Sequence, residues 1–169
     1  MIFMSETGIT DPARERELDA WYVDHLKIML TVSGVHSAQR FKSSSPGYPP
    51  SLAMYTMTSA SVFQDPYYLS VRGMGEWLPL IDRKYYRRNL FDGLARAPEV
   101  GEHERLLVAD RAQPEQQLLG VPWAWLECVG IDRSTPVRGI AVVKQDFDER
   151  ALSSAGVALY SPIAPAITK

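Results

Sequence analysis

The order of apolar segments along this chain of 169 residues predicts an α+β fold. Three observations carry that reading. A short apolar segment at residues 2–7 precedes a long stretch whose apolar residues recur every three or four positions, as on one face of a helix. Two alternating segments follow, separated by a Ser-, Pro- and Gly-rich connection. A second helical pattern then runs into a further strand, and beyond residue 110 the chain is mostly strand.

Taken in order, residues 2–7 read as a strand bounded by Gly8. Asp11-Pro12 marks a helix start, because Asp accepts the orphan N–H groups of a first turn and Pro at N1 forfeits no bond. The helix carries an apolar stripe of Leu18, Trp21, Tyr22, His25, Ile28, Met29 and Val32, and Gly34 suits the left-handed position beyond its end. Residues 35–42 and 52–60 read as strands joined by the loop at residues 43–50. Residues 61–71 form a short helical candidate broken by Pro66. Residues 76–97 form a longer one through Trp77, Leu80, Ile81, Tyr85 and Leu94. Its basic cluster, Arg83-Lys84 and Arg87-Arg88, reads as a solvated face, with phosphate binding as the alternative. Residues 104–110 close this part as a strand.

Residues 1–110 therefore read β-α-β-β-α-β, the order of a ferredoxin-like unit. Residues 111–169 read β-β-α-β: strands at 123–132 and 137–144 joined at residues 133–136, a short helix at 148–154 and a last strand at 157–162. This β-rich half has the order to complete a barrel, and no sequence repeat ties it to the first.

Composition narrows the function classes. Hydrophobic residues make up 46% and charged ones 22%, enough apolar material for a core. Lys plus Arg number 18 against 20 Asp plus Glu, so a net charge of -2 gives no electrostatic reason to expect nucleic acid or an acidic membrane as partner. No apolar run approaches the roughly 20 residues that span a bilayer. The start, Met1-Ile2-Phe3-Met4, is too short for a signal peptide and lacks a basic flank. The expected location is the cytoplasm. The lone Cys128 lies in an apolar run and reads as a core residue. Three His, one Cys and dispersed acids show no metal-ligand spacing. Gly73-Met74-Gly75 follows no strand and is not a nucleotide loop, and no Gly-x-Ser-x-Gly elbow occurs. No metal and no cofactor are expected.

One set of residues carries a family resemblance. Asp11-Pro12, Trp21-Tyr22, His25-Leu26, Gly34-Val35 and Ser37-Ala38-Gln39-Arg40-Phe41 resemble the EthD-like branch of the dimeric α/β-barrel superfamily over residues 1–110. That branch often places an aromatic pair and a His on the first helix, before a Gly-x-x-Ser-Ala-x-Arg-Phe strand. The resemblance implies two ferredoxin-like units forming a barrel, commonly as a homodimer, with small aromatic or polyketide-like molecules bound between sheet and helices. It implies isomerase, cyclase, dehydratase, lyase or cofactor-independent oxygenase chemistry, with some haem-binding branches. Fold analogy alone narrows function little.

The candidate residues follow. His25 lies within the core-facing stripe, so it reads either as a core histidine or as a general acid/base, its ordinary pKa lying nearest neutrality. Asp24 points about 100° away on the helix and does not orient it. Arg40 shares a strand face with Ala38 and His36, opposite Phe41. If the Phe41 face packs on the helices, Arg40 looks into the barrel or to solvent, where it suits a carboxylate or an enolate. Tyr55 suits donation to a substrate oxygen, or is a strand aromatic. Trp21, Tyr22, Trp77, Trp123 and Trp125 are candidate walls of an apolar cleft. Glu127, on the face of Trp125, is a second acid/base candidate if buried there.

The expected activity is a cofactor-free lyase or isomerase acting on a small aromatic or polyketide-like carbonyl compound, with His25 moving the proton and Tyr55 or Arg40 stabilising the oxyanion. The alternatives are a small-molecule binding protein without turnover, and a haem-binding or cofactor-independent oxygenase of the same fold.

Overall fold

The structure, a computed structural model, describes residues 1–169. The opening strand β1 (Ile2–Thr7) leads into a one-turn 3-10 segment and then α1 (Glu15–Thr31). The Asp11 carboxylate accepts the Ala13 N–H at 3.1 Å, with Pro12 at the first helical position. After α1 the chain reverses at Gly34, whose φ of +83° is left-handed and whose added Cβ would lie 2.7 Å from Val62 Cγ2. Both the turn and the close approach require glycine there.

The strands β2 (Val35–Lys42) and β3 (Ser51–Met57) form an antiparallel pair. A short helix α2 (Pro66–Val71) follows, capped by the Asp65 carboxylate on the Tyr68 N–H at 2.9 Å. The remaining strands are β4 (Arg87–Asp92), β5 (Glu104–Arg111), β6 (Ala124–Ile131), β7 (Val137–Lys144), β8 (Ala158–Pro162) and β9 (Ile167–Thr168).

Eight of these strands close a barrel within the one chain, in the order β3-β1-β4-β6-β7-β5-β8-β2, with β2 returning to β3. Every ladder is antiparallel, and β9 adds a short extra strand beside β2. This overturns the expected ferredoxin-like α+β unit of the dimeric α/β-barrel type. Only α1 is a helix of any length. Residues 76–97 are not helical: a 3-10 turn at Gly75–Leu80 contains Pro79, and the chain then extends into β4. Pairing with β1 on one side and β6 on the other places β4 mid-sheet, where ladder bonds on both edges outweigh its helix-like spacing. The short helix expected at 148–154 is a 3-10 turn, Glu149–Ala151.

Three apolar clusters organise the molecule. The lumen holds Ile2, Met4, Phe41, Leu52, Met54, Phe91, Leu106, Leu126, Ile140 and Tyr160. A second cluster lies between α1 and the outer faces of the first strands, and includes Leu18, Tyr22, Leu26, Met29, Phe3, Tyr55 and Leu90. A third covers the opposite outer face, where Leu107, Ala109 and Ala141 meet Leu118 and Leu152. Period-two alternation allots β1 and β4 between the first two: Ile2, Met4 and Phe91 point inward, while Phe3 and Leu90 face α1.

One lumen mouth is polar. Arg138 is buried and donates to both Asp110 oxygens at 2.7 and 2.8 Å, and its Nη2 lies 3.0 Å from Glu6. Burial raises the Glu6 carboxyl against the pull of that guanidinium. The seam between β2 and β8 is short, pairing only Phe41 with Pro162 and Lys42 with Ser161. Gln39, on the same strand β2, binds two neighbouring chain connections. Gln39 Nε2 donates to the carbonyls of Val100 and Ala164 at 2.8 and 3.1 Å, and Gln39 Oε1 accepts the Val100 N–H at 3.0 Å.

Candidate functional site

A cavity of about 390 Å³ lies outside the barrel, between its wall and the helical layer. β1 supplies Phe3 and Ser5, β3 supplies Tyr55, and α1 supplies Tyr22, His25 and Met29. Tyr68 of α2, the turn at Arg72, Gly73 and Met74, and Tyr86 and Arg88 at the start of β4 complete most of the rim. The volume falls at the lower end of the roughly 300–1,000 Å³ usual for ligand pockets. Gly73 takes a φ of +96°, a left-handed turn that carries the chain out of α2 and sets Met74 over the cavity.

His25 is the titratable base of this space. Its ring stacks on Trp21, one helical turn earlier, with centroids 4.6 Å apart and planes 13° from parallel. The Tyr22 ring meets it edge-on at 5.7 Å. Neither imidazole nitrogen has a hydrogen-bond partner in the protein, neither is sealed from solvent, and the residue lines the cavity. Burial alone pushes its pKa down to about 4, since no carboxylate stands beside it. At neutral pH the ring is a neutral imidazole, able to accept a proton.

Two phenols flank it from different elements. Tyr55 is buried, and that burial, with Tyr22 adding to it, raises its phenol well above the usual value. Tyr22 is raised by burial too, with Arg40 and Ser5 pulling the other way. Both stay protonated across the physiological range, and both side chains line the cavity.

The sequence-predicted residues divide into three groups. His25, Tyr22 and Tyr55 line the cavity together. Trp21 and Trp77 share its apolar surroundings without forming the wall: Trp21 backs His25, and Trp77 is buried with Arg14 over its ring at 4.6 Å. Arg40 faces α1, the reverse of the face expected for it, because Phe41 and Gln39 fill the lumen and its mouth. It does not reach the cavity. Its guanidinium lies 4.2 Å from the Tyr22 ring centroid and 2.6 Å from Asp19. Trp123, Trp125 and Glu127 lie elsewhere. The two indoles stack at 5.6 Å against Gly139 in the third apolar cluster, and Glu127 is exposed, so it is no buried acid.

Sequence reasoning missed Ser5, Tyr68, Arg72 and Met74 as lining residues, and it placed Tyr86, a cleft aromatic, and Arg88, part of the basic cluster, on a helix. Tyr86 and Arg88 carry a readable signal, since they alternate with Tyr85 and Arg87 and so point to the opposite face of β4. Reading that stretch as helix hid it. No three His, Cys, Asp or Glu side chains converge in a way that could hold a metal ion. No helix is long and apolar enough to cross a membrane.

No protein-family model matches the chain, and no curated protein shows significant similarity to it.

Proposed function

We propose that the protein is a proton-transfer enzyme of the isomerase or lyase type, acting without a cofactor on a small aromatic or polyketide-like carbonyl compound. The observation that carries the reading is the neutral His25 imidazole, unpartnered in the protein and open to an aromatic-lined cavity. A histidine held for packing normally spends a ring nitrogen on a backbone carbonyl or a hydroxyl.

In this reading the substrate carbonyl lies against the Tyr55 hydroxyl and its α-carbon against His25. The α-C–H bond breaks, the proton passes to the imidazole, and the electron pair moves onto oxygen as an enolate. The Tyr55 phenol donates to that oxygen as charge develops. Return of the proton to another carbon gives isomerisation, and its delivery to a departing hydroxyl gives dehydration. Arg40 takes no part at the reacting atoms and holds the Tyr22 ring from behind. The aromatic lining of the cavity, Phe3, Tyr22, Tyr55, Tyr68 and Tyr86, supports that substrate class. We place the protein in the cytoplasm. Its apolar lumen and covered outer faces are the reverse of a membrane barrel, which carries an apolar band outside and polar groups within.

The test needs no native substrate. Deuterium incorporation at the α-carbon of 1-phenylpropan-2-one in D₂O, followed by NMR, reads the proton-transfer step itself. The wild-type protein should accelerate exchange, and His25→Gln should lower that rate by about 10² or more. Exchange unaffected by His25→Gln, in a variant of unchanged circular dichroism, would overturn the assignment.

A further inference from the structure

We infer that the ligand of the His25 cavity carries a carboxylate, gripped by Arg72 and Arg88. This rests on the cavity being the ligand site proposed above, and it adds a charge to the substrate class.

Two guanidiniums line the cavity and no Asp or Glu does. Arg72 has no carboxylate partner anywhere in the chain. Arg88 spends Nη2 on Asp132 at 3.3 Å, a long bond, while its Nε is sealed from solvent with no partner at all. Its Nη1 is neither bonded nor sealed. Both guanidiniums line the one cavity together with Tyr68, and both oppose the rise that burial imposes on its phenol. The Tyr86 ring lies 5.4 Å from the Arg88 guanidinium carbon, within cation–π range.

Of these two guanidiniums, only the sealed Nε of Arg88 is an unmet buried donor, and the open N–H groups of Arg88 and Arg72 are free to exchange water for a ligand. A carboxylate matches that fork, taking two parallel N–H bonds where a ketone oxygen takes one. The small volume and aromatic walls favour a planar, singly charged group over a dianionic phosphate. The carboxylate has a second effect. A negative charge in a cavity that holds none of its own favours the imidazolium form of His25, so ligand binding itself makes His25 a stronger base.

Benzoate, benzamide and phenyl phosphate share one ring and differ in the charged head. Their binding to the full-length protein can be followed by saturation-transfer NMR and by tryptophan fluorescence, with Trp21 stacked on His25 as the reporter. Benzoate should bind about ten-fold more tightly than benzamide, a preference that added salt reduces. Arg88→Gln should erase the preference and leave benzamide unchanged. Arg72 is exposed, so Arg72→Gln tests the same point without risk to the fold and should weaken benzoate selectively. Benzamide equal to or tighter than benzoate, or phenyl phosphate tighter than both, overturns the carboxylate. If that result comes with His25-dependent deuterium exchange intact, the proton-transfer reading survives alone. Benzoate preference without exchange supports the anion site and sinks the proton transfer, and no binding together with no exchange removes both.

Discussion

Arg40 lies beneath the ring of Tyr22, its guanidinium carbon 4.2 Å from the ring centroid, and reaches back to Asp19 instead of entering the cavity. The carboxylate of Asp19 also lies 2.9 Å from Lys42, so one acid of α1 ties down two basic residues of β2. The contact fixes the ring that meets His25 edge-on. Arg40→Met should therefore lower stability by about 1–2 kcal/mol, a figure discounted because Asp19 is one-third exposed. A positioning role also predicts a lower kcat at little-changed KM for exchange. The Tyr22 phenol should titrate higher still, because Arg40 now pulls it down. Urea melts and ultraviolet phenolate titration check the two halves separately. A variant that loses stability but keeps kcat would leave Arg40 a packing residue only.

Gln39 pins two chain connections to β2. Its side chain is buried and makes two bonds to Val100, between β4 and β5, and one to Ala164, just beyond β8, where the β2–β8 ladder is only two pairs long. Gln39→Leu keeps the volume, removes those bonds and leaves the Val100 N–H without its partner. The expected loss is about 3 kcal/mol by urea denaturation, with faster amide exchange at Val100 and in β8. A loss below about 1 kcal/mol would mean that these bonds add little to the backbone ladders.

The homodimer that the family resemblance implies would be held by the uncovered edges that a small ferredoxin-like sheet leaves. Here β6, β7 and β8 occupy those edges within the same chain, and only the two-residue β9 remains at a margin. A closed barrel has no long edge to pair with another copy. Sedimentation at micromolar concentration should therefore give a monomer. A stable dimer would need a face other than a strand edge.

Much of the strand and helix pattern was readable because each segment's signal was local. The Asp11-Pro12 start, the stripe through Leu18, Tyr22 and Met29, and the Gly34 stop required no knowledge of the rest. What escaped depended on distant partners. Residues 87–92 contain alternation enough for a strand: Asn89 and Phe91 turn inward, Arg88 and Leu90 outward. The three-and-four spacing of Trp77, Leu80, Ile81 and Tyr85 ahead of them masked it, although Pro79 argued against a helix. The face of Arg40 was undecidable from period two alone, since alternation divides a strand into two faces without saying which meets the lumen. At the site, His25, Tyr22 and Tyr55 were found by residue type and stripe position. Arg72 was not, and Arg88 was read only as part of a basic helical face, because its place at the cavity depends on β4 lying beside β1.

The pH dependence of stability isolates His25. Burial lowers its pKa from the usual 6.5 to about 4 in the folded protein, whereas the unfolded chain keeps the ordinary value. Between those two values the unfolded state binds more protons than the folded one, so stability rises with pH there. The contribution is fully present above about 6.5, declines as pH falls through that window, and is wholly lost below about 4. At about 1.36 kcal/mol per unit, its full extent is about 3 kcal/mol. Urea melts of wild type and His25→Gln at pH 7, 5.5 and 4 should converge or cross as the pH falls, the variant lacking this part of the slope. Saturating benzoate should flatten the wild-type slope as well, because a bound anion raises the pKa of His25 toward its unfolded value. Parallel slopes for wild type and variant would show that His25 titrates as an exposed residue. That would remove the neutral, partnerless imidazole on which the proton transfer depends.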